Sequence, residues 1–432
     1  MEALELDLKV TTRKTTRTLQ WLVSVALLLA SVAAAQTKAP MSWDQVRQRF
    51  EQNNPTLLAG QLNIEESKAQ ELTANMRPNP SLSLTADQFN PFPGGPSHSC
   101  CGSLLTVAAV SYLHEREHKR ELRLESAQKG TAIAASTQAD LERSLLFGLR
   151  TAFVSTLQAK AVLQLAKDNL EYYDHVLEIS RTRFSAGDIA QIDLDRLELQ
   201  RVQYESDLET ALVSLRTAKI TLLMLLNERT PVDQYDVTGV YYFQEKLPTL
   251  DEMRTTALDS RPDLKAAMQA VDKAQTEHRL AVANGSTDPT LSVDAGRNPP
   301  IDQYVGFTVS IPLRIFDRNQ GEKLRTRLDI TRNERLRDAA QALVFSDVDS
   351  GYVTLASTVE LLKPYRAKYL DQSKRVRETI FFSYRNGGAS LLDFLNAESE
   401  YRTVQLAYVN LLGSYLSAAA QLNMAVGREV IQ

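Results

Sequence analysis

The sequence predicts a mainly α chain with a small β part: long helical hairpins in tandem repeat, plus four strands. Three observations predict it. A short stretch occurs twice: Arg183-Phe184-Ser185-Ala186-Gly187 leads to Asp193, and Ser383-Tyr384-Arg385-Asn386-Gly387 leads to Asp393. Aromatic, Gly and Asp fall 200 positions apart in the two copies, and Glu198 and Glu398 extend the match. In each copy a long helix-prone run comes before the Gly and another follows the Asp, so each reads as the tip of an antiparallel helical hairpin. Four shorter stretches alternate apolar and polar residues, the period of strands with one face of each kind.

The first residues carry Arg13, Lys14 and Arg17, an apolar run from Trp21 to Ala30, then Ser31-Val32-Ala33-Ala34-Ala35-Gln36. This is the pattern of a secretory signal occupying residues 1–35 and cut after Ala35. The apolar run is too short to span hydrocarbon about 30 Å thick. No Cys at the cut suggests a lipid-anchored N-terminus. Beyond it no apolar run is long enough for a transmembrane helix, so a membrane-spanning part has to be a closed β-barrel. With a net charge of -4 and no basic cluster, nothing points to nucleic acid. No nucleophile, phosphate loop or cofactor motif is present, and no cofactor and no enzyme activity are expected.

In chain order, Trp43-Asp44 opens an amphipathic segment, and Pro55 starts a helix at the position where its missing N–H costs nothing. Arg77-Pro78-Asn79-Pro80 stops that helix. Strands follow at about 80–88 and about 104–113, separated by a loop rich in Pro and Gly. From about His114 to Arg183 there is no proline, which predicts a helix of about 70 residues, roughly 105 Å long. After the tip near 184–193 the chain returns to about Asn227, with Leu194, Leu197, Leu208, Leu212 and Leu215 at packing positions. Pro231 to Pro248 reads as a link.

The second half repeats the first. Leu250-Asp251 and Arg261-Pro262-Asp263-Leu264 reproduce Trp43-Asp44 and Asn54-Pro55-Thr56-Leu57, and Asp288-Pro289-Thr290-Leu291 reproduces Asn79-Pro80-Ser81-Leu82. A duplication is expected, with repeats at 36–248 and 249–432. The second strand pair falls at about 290–296 and 303–312, and the second tip near 384–393. Pro364 is expected to kink or interrupt the helix before that tip. Four strands per chain are too few to close a barrel, so the chain has to oligomerise to close one.

Two further clusters bear on chemistry. His114-Glu115-Arg116-Glu117-His118 matches the H-E-x-x-H pattern of zinc peptidases, giving the alternative of a secreted zinc metallopeptidase. His98, Cys100 and Cys101 share the loop of the first strand pair; a disulfide between chains, two free thiols and a soft-metal site are all compatible with them. A third alternative is a periplasmic coiled-coil adaptor without a barrel.

Two tandem repeats of helix, strand pair and long hairpin behind a signal resemble the TolC family of outer-membrane efflux factors over about Ser42 to Gly427. The most specific parts are the paired tips, the Asn-Pro and Arg-Pro helix starts, and Ser310-Ile311-Pro312-Leu313 followed by Phe316-Asp317-Arg318-Asn319-Gln320-Gly321. That last run is most similar to the CzcC-type members associated with heavy-metal efflux. The resemblance implies a homotrimer with a twelve-stranded barrel in outer-membrane lipid on a periplasmic α-helical barrel. It implies two partners, a periplasmic membrane-fusion adaptor and an inner-membrane pump of the RND type, with heavy-metal cations or drugs as cargo. By position, Phe184, Gly187, Gly387 and Gly388 belong to tips that meet the adaptor, and Asp193, Asp393 and Tyr384 to the periplasmic gate. TolC has an Arg two positions beyond the second tip Gly and an additional Asp three beyond that copy's Asp. Ala389 and Asn396 stand there in this chain, so the TolC gate network does not transfer whole. A threefold ring of Asp193 and Asp393 would attract cations; the competing role for each Asp is to cap its return helix.

Overall fold

The computed structural model describes residues 40–87, 104–298 and 301–431. The signal at 1–35 and the loop cluster His98, Cys100 and Cys101 lie outside these residues. Among the described residues the α-helices are α1 (Trp43–Asn53), α2 (Pro55–Ala74), α3 (Lys119–Ser185), α4 (Gln191–Leu225), α5 (Leu250–Ser260), α6 (Pro262–Ala283), α7 (Gln320–Pro364), α8 (Leu370–Arg385) and α9 (Leu391–Val426). The strands are β1 (Ser81–Asp87), β2 (Leu105–Leu113), β3 (Thr290–Asn298) and β4 (Ile301–Ser310). None of the described helices is long and apolar enough to cross a membrane.

The chain divides into two compact units. One gathers residues up to Glu51, Ala152–Tyr242 and Asp371–Gly413; the other gathers Gln52–Thr151, Phe243–Leu370 and Ser414–Gln432. The first holds both helical tips and the second holds the sheet.

In the sheet-bearing unit, the helix starts are built as their residues dictate. Asn54 caps α2 by accepting the Leu57 N–H at 3.0 Å, with Pro55 at the first helical position. Arg261, at the matching place before Pro262, works differently. Its side chain is buried and binds Asp263 at 2.5 Å and Asp347 at 2.8 Å, so a cation and two carboxylates replace the side-chain cap. Gly60 of α2 lies where a Cβ would meet the Gln138 side chain of α3, and that side chain donates to the Leu57 carbonyl at 3.1 Å.

The four strands form one antiparallel sheet in the order β1-β2-β3-β4. Its register puts Leu82 opposite Val110, Val110 opposite Val293, and Val293 opposite Phe307. One face therefore collects Leu82, Leu84, Val110, Leu291, Val293, Val305, Phe307 and Val309, all exposed in the single chain. The other face carries Ser81, Ser83, Thr85, Ser111, Ser292, Asp294 and Thr308, with the Ser81 and Ser111 hydroxyls 2.7 Å apart. β1 and β4 are the two edges, and among the described residues neither has a further strand beside it.

Two expectations are corrected. α3 begins at Lys119, not near His114. The Asp288 carboxylate accepts the Arg116 N–H at 2.9 Å and pairs with Lys119 at 2.6 Å, while Glu117 and His118 adopt φ of 55° and 54°. These bonds hold the stretch in a turn that no periodicity announces. β4 starts earlier than expected, at Ile301, and pairs only to Ser310, since Pro312 has no N–H to offer a ladder. β3 correspondingly runs on to Asn298 across an irregularity at Gly296.

Pro364 interrupts its helix as expected. It ends α7, and a π-helical turn, Tyr365–Tyr369, follows, in which the Leu370 N–H reaches back to the Tyr365 carbonyl. Widening the turn accommodates the ring and the missing donor without ending the helical path. The segment after Val232 pairs with Met41, just ahead of α1: the Met41 N–H donates to the Asp236 carbonyl and the Thr238 N–H to the Met41 carbonyl, both at 2.9 Å.

Candidate functional site at the hairpin tips

Both tips end their first helix by the same backbone device. Gly187 has φ of 84° and Gly387 of 77°, the left-handed region that costs an L side chain. In the first tip the Gly187 N–H donates to the Phe184 carbonyl at 3.0 Å and the Asp188 N–H to the Arg183 carbonyl at 2.9 Å. In the second the Gly387 N–H donates to the Tyr384 carbonyl at 3.1 Å and the Gly388 N–H to the Ser383 carbonyl at 2.8 Å. This paired pattern is the Schellman motif, which satisfies the last carbonyls of a helix. A Cβ at either glycine would meet nothing within 4 Å, so conformation and not space selects glycine.

The return helices begin differently. At α9, Ser390 and Asp393 form a reciprocal cap: the Asp393 N–H donates to the Ser390 hydroxyl at 3.1 Å, and the Asp393 carboxylate accepts the Ser390 N–H at 3.1 Å and its O–H at 2.7 Å. The Ser390 hydroxyl and backbone N–H hold the Asp393 carboxyl below its usual range. At α4 the capping position is Ala190, which has no side chain to offer, and Asp193 is half-buried in the first turn. An Asp at a helix start is also favoured by the helix dipole.

Tyr384 is 6% exposed and belongs to the core that joins the two hairpins, with Tyr173, Val176, Leu177, Leu194, Leu197, Tyr204, Leu391 and Phe394. Its ring stacks on Phe394 at 5.2 Å. Arg183 clamps it, donating to the Tyr384 carbonyl at 3.0 Å with its guanidinium 5.2 Å from the ring centroid. Burial pushes the Tyr384 phenol up, and the Asp193 charge acts in the same direction. Among the described residues its hydroxyl has no hydrogen-bond partner; the Ser180 hydroxyl nearby donates to the Val176 carbonyl. Thus Asp193, Arg183 and Tyr384 are brought together, while Asp393 faces solvent with Ser390. Phe184, the positional counterpart of Tyr384, is 37% exposed.

A polar cluster beside this core was not singled out by sequence. Glu398 is 3% exposed, and burial pushes its carboxyl up to about 7 against the opposing pull of Arg377, Tyr172 and Arg402. The Arg377 Nε is 3.9 Å from the Glu398 Oε1, and among the described residues neither of these two buried atoms has a hydrogen-bond partner. The Arg377 guanidinium lies between two rings, 4.2 Å from the centroid of Tyr172 and 3.9 Å from that of Tyr401. Arg402 pairs with Asp207 and covers Tyr204. The one available signal was Glu398 itself, an acid in the repeat match; its burial was not in the pattern.

The peptidase alternative lacks its geometry. His114 and His118 sit on an extended stretch and a turn, not one turn apart on a helix, and the Glu115 carboxylate is held by Arg123 at 2.9 Å. Among the described residues no group of three His, Cys, Asp or Glu is placed to hold a metal ion.

Comparison with known proteins agrees with this architecture. The family profile described as outer membrane efflux protein matches residues 46–228 and 254–428. The cobalt-zinc-cadmium resistance protein CzcC of Cupriavidus metallidurans is 23% identical over 399 residues, covering 87% of each chain. The pyoverdine export outer membrane protein OpmQ of Pseudomonas aeruginosa is 23% identical over 322 residues, 71% of this chain and 66% of that one. Among solved structures, CusC, described in terms of folding and transmembrane channel formation, superposes with a TM-score of 0.75 at 17% identity, over 89% of this chain and 92% of its own.

Proposed function

This chain belongs to the outer membrane efflux protein family, and on that premise we propose that it is the passive exit duct of a tripartite efflux system. The family is one of outer-membrane channels, so the protein is a conduit and not an enzyme. The observation that carries the finer reading is the sheet: four strands, an exposed apolar face, a Ser- and Thr-rich opposite face and two open edges. Hydrocarbon tolerates strands only in a closed barrel, and four are too few. Three copies joined edge to edge supply twelve, with apolar side chains toward lipid and hydroxyls toward a water-filled lumen.

In this homotrimer the helices, in tandem repeats at 36–248 and 249–432, extend the duct into the periplasm. The tips, with Phe184, Gly187, Gly387 and Gly388, meet a membrane-fusion adaptor that couples to an inner-membrane pump of the RND type. Asp193, Asp393 and Tyr384 belong to the gate: three copies put six carboxylates around the entrance, where they attract cations. The cap made by Asp393 leaves its charge in place. Likeness to a cobalt-zinc-cadmium resistance protein supports heavy-metal cations as cargo, and likeness to a pyoverdine exporter supports organic cargo as the second reading.

The decisive experiment is isolation from outer-membrane fractions with single-channel recording. A heat-sensitive trimer conducting with cation preference is expected, and a monomer without conductance rejects the duct. In Asp193→Ala, Asp393→Ala protein the preference should weaken; if it does not, the carboxylates are caps only.

A further inference from the structure

The polar face of the sheet is the crowded one. Along β2 and β3, Val107, Ala109, Ser292 and Asp294 are half-buried, while their neighbours Ala108, Val110, Val293 and Ala295 on the apolar face are exposed. A curving sheet crowds the side chains on its inner side, so the polar face is the concave one. A sheet resting on a soluble core would bury its apolar face instead.

One row of the register crosses this inner face from edge to edge: Ser83 opposite Ala109, Ala109 opposite Asp294, and Asp294 opposite Gly306. Asp294 is the largest side chain of the row and its one charge. The space it occupies is left by Gly306, where a Cβ would lie 2.7 Å from Oδ1 and 2.8 Å from Oδ2. The carboxylate thus lies across bare backbone, and the Tyr304 hydroxyl, on the same face of β4, interacts with it. Among the described residues no Lys or Arg of the sheet stands on this face; Arg297 falls on the other, opposite Thr106. Asp87 shares the face but stands at its rim, as the last residue of β1.

Resting on the barrel reading above, we propose that Asp294 sets charge selectivity inside the barrel, where three copies of its carboxylate favour cations over anions separately from Asp193 and Asp393 at the tips. Threefold symmetry puts the three at one level whatever the tilt of the strands. Strands about 4.8 Å apart and tilted about 40° give a twelve-stranded wall a radius of roughly 12 Å. The Debye length is about 10 Å in 0.1 M salt and about 3 Å in 1 M. Charges on that wall therefore act across the lumen in dilute salt and are screened out in concentrated salt. In water at about 0.1 M salt, three of them favour a univalent cation over an anion by about threefold.

The test is reversal-potential recording from the full-length protein in planar bilayers under a KCl gradient, comparing the parent with Asp294→Asn and Asp294→Glu. At about 0.1 M salt the Asp294→Asn channel should lose about threefold in cation-over-anion permeability, with little change at about 1 M. Asp294→Glu keeps the charge and should keep most of the preference. The same loss should appear when Asp294→Asn is added to Asp193→Ala, Asp393→Ala protein, which separates the barrel from the tips. Unchanged selectivity in Asp294→Asn, or an equal loss in Asp294→Glu, overturns the inference and leaves the duct standing. An Asp294→Asn chain that no longer forms channels also overturns it, since Asp294 would then serve assembly. A parent protein that does not conduct overturns the barrel and the inference with it.

Discussion

The two tips share a backbone and differ in almost everything attached to it. Gly187 and Gly387 close the same pair of hydrogen bonds at nearly the same φ. Around the first, Phe184 is exposed, Ala190 leaves α4 uncapped by a side chain, and Glu198 meets Arg181 in a surface pair at 2.8 Å. Around the second, Tyr384 is buried under Arg183, Ser390 and Asp393 cap one another, and Glu398 is enclosed beside Arg377. A repeated turn therefore preserves chain reversal while leaving each copy free to take a separate role. The second tip holds the buried polar groups whose state depends on whether the hairpins stay packed, and the first supplies the Arg that clamps it.

The comparison can be broken most forcefully at the core. Phe394 is fully buried against Tyr384, so Phe394→Ala should destabilise the second tip by about 3–5 kcal/mol. Phe184→Ala in the first tip should stay within about 1 kcal/mol, as truncations of exposed side chains do. Hydrogen exchange of the backbone amides of residues 391–397 reads the difference; equal loss of protection in both variants would mean that the tips are energetically alike.

Next in size is a pH effect confined to the second tip. Glu398 has a folded value of about 7 against 4.5 when unperturbed. Between these values the packed tip holds a proton that the open one has lost, so stability falls as pH rises through that window. The whole span amounts to roughly 3 kcal/mol. Exchange protection of the second tip, corrected for intrinsic rates, should be higher at acid pH than above neutrality. If opening wets Glu398, channel open probability should fall on acidification. Glu398→Gln should flatten both profiles, and Glu198→Gln, at an exposed ion pair, should change neither.

The smallest expected effects sharpen the contrast at the helix starts. Ser390→Ala removes half of a reciprocal cap and should cost about 1 kcal/mol. Ala190→Ser offers α4 the cap it lacks and should stabilise the first tip by a similar or smaller amount. Thermal denaturation of the detergent-solubilised protein should show shifts of opposite sign.

Much of the architecture was legible in the residues because it is local. Glycine is favoured where φ is positive, as at both tips, proline removes a donor wherever it stands, and alternation fixes which strand residues share a face. Hence the tips, the interruption at Pro364 and the apolar sheet face were all expected before the structure. The start of α3 was not, because Asp288, far away in sequence, holds Arg116 in the turn before the helix and pairs with Lys119 at its first position. The leucines of α4 were legible only in part: Leu194 and Leu197 are buried, whereas Leu208, Leu212 and Leu215 are half-exposed in the single chain.

Glu198 and Glu398 mark the boundary between the two kinds of information. Each stands at the same distance beyond its tip glycine, and nothing in its immediate sequence separates an exposed acid from an enclosed one. The chain by itself determined the repeated reversals, the helix and strand periods and the membrane-compatible face, since these follow from the conformational preferences of neighbouring residues. Only tertiary packing decided that Tyr172 and Arg377 come against Glu398 and that Arg183 reaches Tyr384. Desolvation is set by what other segments bring within a few ångströms, and that is not a property of any one stretch of sequence.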